Sequence, residues 1–166
     1  MLRNGFTLIE LIVTIAVAGI LLALAAPSFQ SLLISNRITA QTNDLVSDLA
    51  FARSEAIKRG VTVTACFANT PTTCGAGINW TAGWIVFVDT GTAGDATGDT
   101  ILRTHEALRG NSTLTATVTG NHFISYFPSG TVDAAETFTL CNAAVQGRTV
   151  AISASGRVNT TPTVCP

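Results

Sequence analysis

Two hydrophobic rhythms divide the chain near Gly60. Phe6 to Ala26 reads FTLIELIVTIAVAGILLALAA, 21 residues interrupted by one charge, Glu10. A helix of that length runs about 32 Å, enough to cross a hydrocarbon core. Asn36 to Arg59 carries strong helix formers with no internal Gly or Pro, and Gly60 after Lys58 and Arg59 supplies a C-cap. One helix from Phe6 to Arg59, about 80 Å long, is predicted. Pro27 either kinks it or marks its exit from the membrane. Phe29, Leu32 and Leu33 share one face, whereas Ile38, Leu45, Leu49, Ala52 and Ala56 share another about half a turn away at roughly 100° per residue. Two opposed stripes imply two partners: membrane and neighbouring helices first, the following domain second. A helix that merely curves over one core is the alternative. Gly19 and Ala23 form a small-xxx-small pair of the kind that allows close helix packing.

After Gly60 the period switches to 2. Strands are predicted at 61–66, 83–88, 100–103, 114–118, 122–127, 137–141 and 148–152, rich in Thr, Val, Ile and Phe. Turn residues separate them at 91–98, 110–111, 128–130 and 155–156. The expected fold class is α+β, one long helix packed on an antiparallel β-domain.

Composition sharpens this. Of 166 residues, 11% are charged, against about 25% in soluble domains, so part of the chain does not face water. Arg3 in the short segment before Phe6 holds that end in the cytoplasm and sends the remainder across the membrane. A secretory signal with cleavage after Ala23-Leu24-Ala25 fits poorly, because its apolar stretch would span only about 7–15 residues and would carry no glutamate. A plain anchor explains the length but not Glu10, since an intramembrane carboxylate is costly and marks function.

Gly5-Phe6-Thr7-Leu8-Ile9-Glu10 resembles the type IV pilin signature: a short basic leader ending in Gly, then Phe, then Glu at the fifth mature position. The resemblance implies cleavage between Gly5 and Phe6 by a prepilin peptidase, methylation of the new amino group on Phe6, and recruitment of the subunit into a filament through Glu10. In a bundle of such helices, a neighbour's cationic N-terminus would relieve the carboxylate. The expected divisions are a leader at 1–5, a transmembrane and filament-core helix at 6–26, its amphipathic half at 27–59, and a periplasmic β-domain at 60–166. Ala52-Arg53-Ser54-Glu55-Ala56, the Val-Thr strand with Cys66, Trp80, Gly83-Trp84-Ile85-Val86-Phe87 and a terminal strand at Ser155-Gly156-Arg157-Val158 are similar to the GspH/FimT/FimU group of minor pilins and pseudopilins. That resemblance implies two β-sheets on the C-terminal half of the helix. It also implies an inner-membrane protein whose partners are other minor and major pilins and the processing peptidase/methyltransferase. A minor pilin at the tip of a type IV pilus is the first expectation, and a minor pseudopilin (H-type) of a type II secretion system the second.

Cys66, Cys74, Cys141 and Cys165 allow three connectivities. Placement outside the cytoplasm favours disulfides, with Cys66–Cys74 closing a small loop and Cys141–Cys165 stapling the C-terminus. Free buried thiols are the alternative, and the spacing fits no common zinc pattern. Asp89, Asp95 and Asp99 lie in a Gly- and Thr-rich loop where carboxylates could surround calcium, but their spacing is not that of an EF-hand and a solvated turn is the simpler reading. His105 and His122 belong to no nucleophile or phosphate motif, and no enzymatic activity or cofactor is expected. Asn79, Asn111 and Asn159 begin N-x-[ST] triplets, a pattern too short to carry an assignment.

Residues 60–166 hold four Arg and six acids, a net of −2, yet the segment after Glu136 is +2 from Arg148 and Arg157. Some FimT-like proteins are implicated in DNA uptake through a C-terminal Gly-Arg-x-Arg stretch. Gly156-Arg157-Val158-Asn159 lacks the second arginine. A DNA-binding minor pilin contacting nucleic acid through Arg148 and Arg157 is therefore a third expectation, set against a solvated edge strand or subunit contact. Two arginines are a thin footprint, because phosphate affinity grows with the charges neutralised.

Overall fold

The computed structural model describes residues 7–70, 72–117, 123–142 and 145–165. The Gly5/Phe6 junction, Val118 and His122 lie outside them. A single helix, α1, runs from Leu8 to Arg59, about 78 Å at the standard rise. It continues through residue 27, so that position does not end it. Thr7 is the N-cap in an extended conformation, and Gly60 closes the other end at φ 68°, the left-handed conformation that the last-turn carbonyls require.

Among the described residues nine strands follow: β1 (Val63–Thr70), β2 (Thr73–Cys74), β3 (Trp84–Val88), β4 (Thr100–His105), β5 (Thr113–Ala116), β6 (Phe123–Tyr126), β7 (Glu136–Asn142), β8 (Val145–Ile152) and β9 (Val158–Thr163). Among the described residues they form two antiparallel sheets. The first runs β2-β1-β3-β4, with β6 also paired to β1, and the second runs β5-β7-β8-β9. The seven strands predicted from the alternating pattern all occur. β2 was missed, being two residues long with half-buried positions. The stretch expected as a terminal strand at 155–158 is mostly a turn: the Gly156 amide donates to the Ser153 carbonyl at 2.8 Å, Gly156 has φ 74°, and the ladder begins only at Val158. Pro162 sits in β9 opposite Arg148. It is tolerated because β9 is an edge strand and a missing amide there costs no ladder bond.

The core lies between α1 and the sheets. Ile38, Leu45, Leu49, Ala52 and Ala56 are each at most 1% exposed and pack with Trp80, Trp84, Tyr126, Phe138, Leu140 and Val150. Phe29, Leu32 and Leu33 are 60%, 55% and 49% exposed. Only the second stripe therefore packs on the domain, while the first faces away from it, so the helix does not curve both stripes over one core. β3 is buried at every position because both its faces are covered, one by α1 and the other by the smaller cluster of Cys66, Ile85, Phe87 and Ala96. β7 alternates buried and half-buried positions along its length, the signature of a strand with one covered face.

Candidate assembly surface and its surroundings

The N-terminal half of α1 is an unpartnered apolar rod. Leu8, Ile12, Ile15, Ile20 and Leu24 are all more than half exposed, and the helix is long and apolar enough to cross a membrane. At its start, Thr7 and Glu10 form a reciprocal cap. The Glu10 carboxylate accepts the Thr7 amide and hydroxyl, each at 3.2 Å, and the Glu10 amide donates back to the Thr7 hydroxyl at 3.4 Å. One carboxylate oxygen is thus engaged within the chain, next to the positive end of the helix dipole. Its charge is not cancelled by any cation among the described residues.

The C-terminal half of α1 is clamped to the first sheet by a polar seam that the sequence reading did not identify. Asp48 accepts the Trp84 indole N–H at 2.9 Å and an Arg103 guanidinium N–H at 2.8 Å. Arg103 lies 3.8 Å over the Phe51 ring, and His105 stacks on Trp84 with ring centroids 3.8 Å apart. The His105 Nε2 is 3.7 Å from Asp44. The signal was present: Asp44, Asp48 and Phe51 recur at 4 and 3 residues on one helix flank, facing Arg103 and His105 two apart on β4. At the end of α1, Glu55 pairs with Arg59 and Lys58. The Arg59 hydrogen bond, helped by Lys58, holds the Glu55 carboxyl below its usual range.

Disulfides join Cys66 to Cys74 and Cys141 to Cys165, with Cα atoms 5.6 and 5.7 Å apart. The second passes beside Gly147 of β8, where a methyl group would collide with both sulfurs and with the Leu140 carbonyl. The aspartates of the 89–99 loop each serve a turn. Asp89 accepts the Thr64 hydroxyl and the Gly94 amide, Asp95 the Thr97 amide, and Asp99 the Thr90 amide and hydroxyl. No cluster of three His, Cys, Asp or Glu able to hold a metal occurs among the described residues.

Arg148 and Arg157 are not brought together. Arg148 is half-buried on β8 and donates to Thr39 at 3.4 Å, on the early part of the docked helix. Arg157 is exposed beside Ile152, at the other end of the same strand pair. Arg148 and Ile152 are four positions apart along β8, roughly 13 Å. Arg157 and Arg53 of the helix line one groove.

A naked apolar helix capped by Thr7 and Glu10, a two-sheet domain on its far half and paired cysteines make one architecture, and it matches known families. The model of the type II transport protein GspH matches residues 41–156, and the prokaryotic N-terminal methylation motif matches residues 1–26. This chain belongs to the GspH family. It is a pilin-like protein of the group containing the minor pilins and pseudopilins of type IV pili and type II secretion. Among curated protein sequences none matches significantly. The fold resembles the type IV minor pilin FimU of Pseudomonas aeruginosa, at 21% identity and TM-score 0.61, covering 77% of this chain and 90% of that one. It also resembles the minor pseudopilin EpsH from the type 2 secretion system of Vibrio cholerae, at 12% identity and TM-score 0.55, covering 76% and 97%. The GspH-family chain therefore combines an N-terminal helix long and apolar enough to cross a membrane with a two-sheet domain on its far half. The family's role is structural.

Proposed function

We propose that this chain is a minor type IV pilin that enters a filament after cleavage between Gly5 and Phe6 and methylation of the Phe6 amino group, and that it primes or caps the pilus tip. The observation that carries this reading is the exposed apolar half of α1 with the Glu10 carboxylate at its start. In lipid that carboxylate needs a cation, and the amino group of Phe6 on a neighbouring subunit lies at similar depth in a helical bundle. A buried pair of this kind specifies register between subunits, because any other stagger leaves a charge uncompensated.

The match to the GspH model and the likeness to EpsH support a second reading, the H-type pseudopilin of a type II secretion system. Deleting the gene and scoring surface pili against secreted protein separates the two. The DNA-uptake reading has the weakest support, since it now rests on Arg157 with Arg53 rather than on Arg148 and Arg157 as one footprint.

Intact mass and N-terminal peptide mass spectrometry on protein from native membranes test the processing step common to the first two readings. The expected chain has 161 residues, 166 minus the leader of 5, and starts at N-methylated Phe6. A chain that retains Met1, or begins beyond Ala25, overturns the filament role of Glu10.

A further inference from the structure

A groove of about 700 Å³ runs between the outer flank of α1 and the start of β9. Val46, Ala50, Ile57 and Val158 give it an apolar floor, Arg53 and Arg157 also line it, and no carboxylate does. Ile57 is 52% exposed there. Arg53 is held in place rather than loosely solvated: its Nε donates to the Gly130 carbonyl at 2.9 Å and an Nη to the Ser155 carbonyl at 3.0 Å. The two turns supplying those carbonyls close tightly around it. Gly130 and Gly156 have φ of 79° and 74°, and a methyl group on either would press on the Arg53 guanidinium at 3.3 or 3.1 Å. Neither Arg53 nor Arg157 forms an ion pair with a carboxylate among the described residues. Alongside, β9 is the edge of its sheet, its positions 159–162 are exposed, and Pro162 blocks pairing only toward the far end.

We infer that this groove receives an extended acidic segment of another filament subunit, laid alongside β9. Its apolar side chains rest on the floor and a carboxylate meets the two guanidinium groups. Main-chain pairing to an open strand edge supplies affinity, and alternate side chains supply selectivity. The pinned Arg53 supplies a pre-positioned cation, so little side-chain entropy is lost when the carboxylate arrives. A polynucleotide fits worse, because the floor is apolar and two charges neutralise few phosphates. The inference rests on the filament reading above.

Full-length protein carrying p-benzoylphenylalanine at Asn159, or separately at Ser54, would be irradiated in its native cells and the adducts sequenced by mass spectrometry. The expected adduct joins the groove to a carboxylate-bearing segment of another pilin-like subunit. Arg157→Glu lowers its yield at least about fivefold, as expected for a reversed charge at a contact, while Arg157→Lys keeps most of it. The inference is overturned by adducts only to nucleic acid or lipid, by a partner segment without a carboxylate, by a yield that ignores Arg157→Glu, or by no adduct at either position. The N-terminus is read from the same sample. Unprocessed protein sinks the filament reading, whereas a missing adduct on protein starting at Phe6 sinks the groove alone.

Discussion

The helix cap made by Glu10 and the assembly role proposed for its charge can be separated by one atom. Its oxygen caps the helix through Thr7, and its charge calls for a cation elsewhere. Glu10→Gln keeps an acceptor for the cap but removes the charge. Processing should be unchanged while incorporation into sheared filaments falls more than tenfold, because a broken buried charge pair costs about 3–5 kcal/mol. Immunoblots of filament and membrane fractions check this. Glu136 differs in kind: only 6% exposed at the start of β7, its carboxyl is pushed above its ordinary value of 4.5 mainly by burial, partly offset by the Thr137 amide. The folded state therefore holds the Glu136 proton more tightly than the unfolded chain. That contribution is complete below about pH 4.5 and fades as pH rises through the raised folded value. Glu136→Gln should leave stability unchanged in acid and raise it at neutral pH, measured by chemical denaturation across that window. An equal effect at both ends would remove burial as the cause.

The helix is one element with two environments, and the same substitution reports both. Leu49 is 1% exposed and Leu32 is 55% exposed. Leu49→Ala should cost about 3 kcal/mol of domain stability through lost burial and a residual cavity. Leu32→Ala should leave unfolding unmoved and weaken assembly instead. Denaturant midpoints in detergent and filament yield distinguish them. Equal loss of stability at both sites would mean that the first stripe also packs on the domain. The stripes were legible because 3.6-residue periodicity reports which side an element buries, and β1 and β3 to β8 were legible as short runs rich in Val, Ile, Thr and Phe between turn residues. β2 was not, since a two-residue strand carries no period. The start of β9 was obscured by Gly156, whose left-handed φ of 74° makes the turn that the resemblance had read as strand.

At the scale of the molecule, the disulfide between Cys141 and Cys165 ties the C-terminal end to β7 across a separation of 24 residues. Replacing both cysteines with Ser should lower stability by about 3 kcal/mol by the loop-entropy estimate. The loss should vanish when both proteins are compared under reducing conditions. Such bonds are rare in a reducing cytosol and common in an oxidising compartment, as the proposed placement of the domain outside the cytoplasm requires.

The sequence by itself determined the apolar rod, the opposed stripes, the switch to period 2 and the place of Glu10, all of which are properties of neighbours along the chain and of side-chain polarity. The partners of the four cysteines were an expectation among three connectivities, and geometry chose between them. Only the tertiary structure decided that Arg148 and Arg157 stand apart while Arg53 and Arg157 share a groove, and that Asp48 locks Trp84 and Arg103 to the helix. Those relations join residues from 36 to 104 positions apart in the chain. No local pattern encodes them, because they depend on how strand register and helix docking bring distant backbone together.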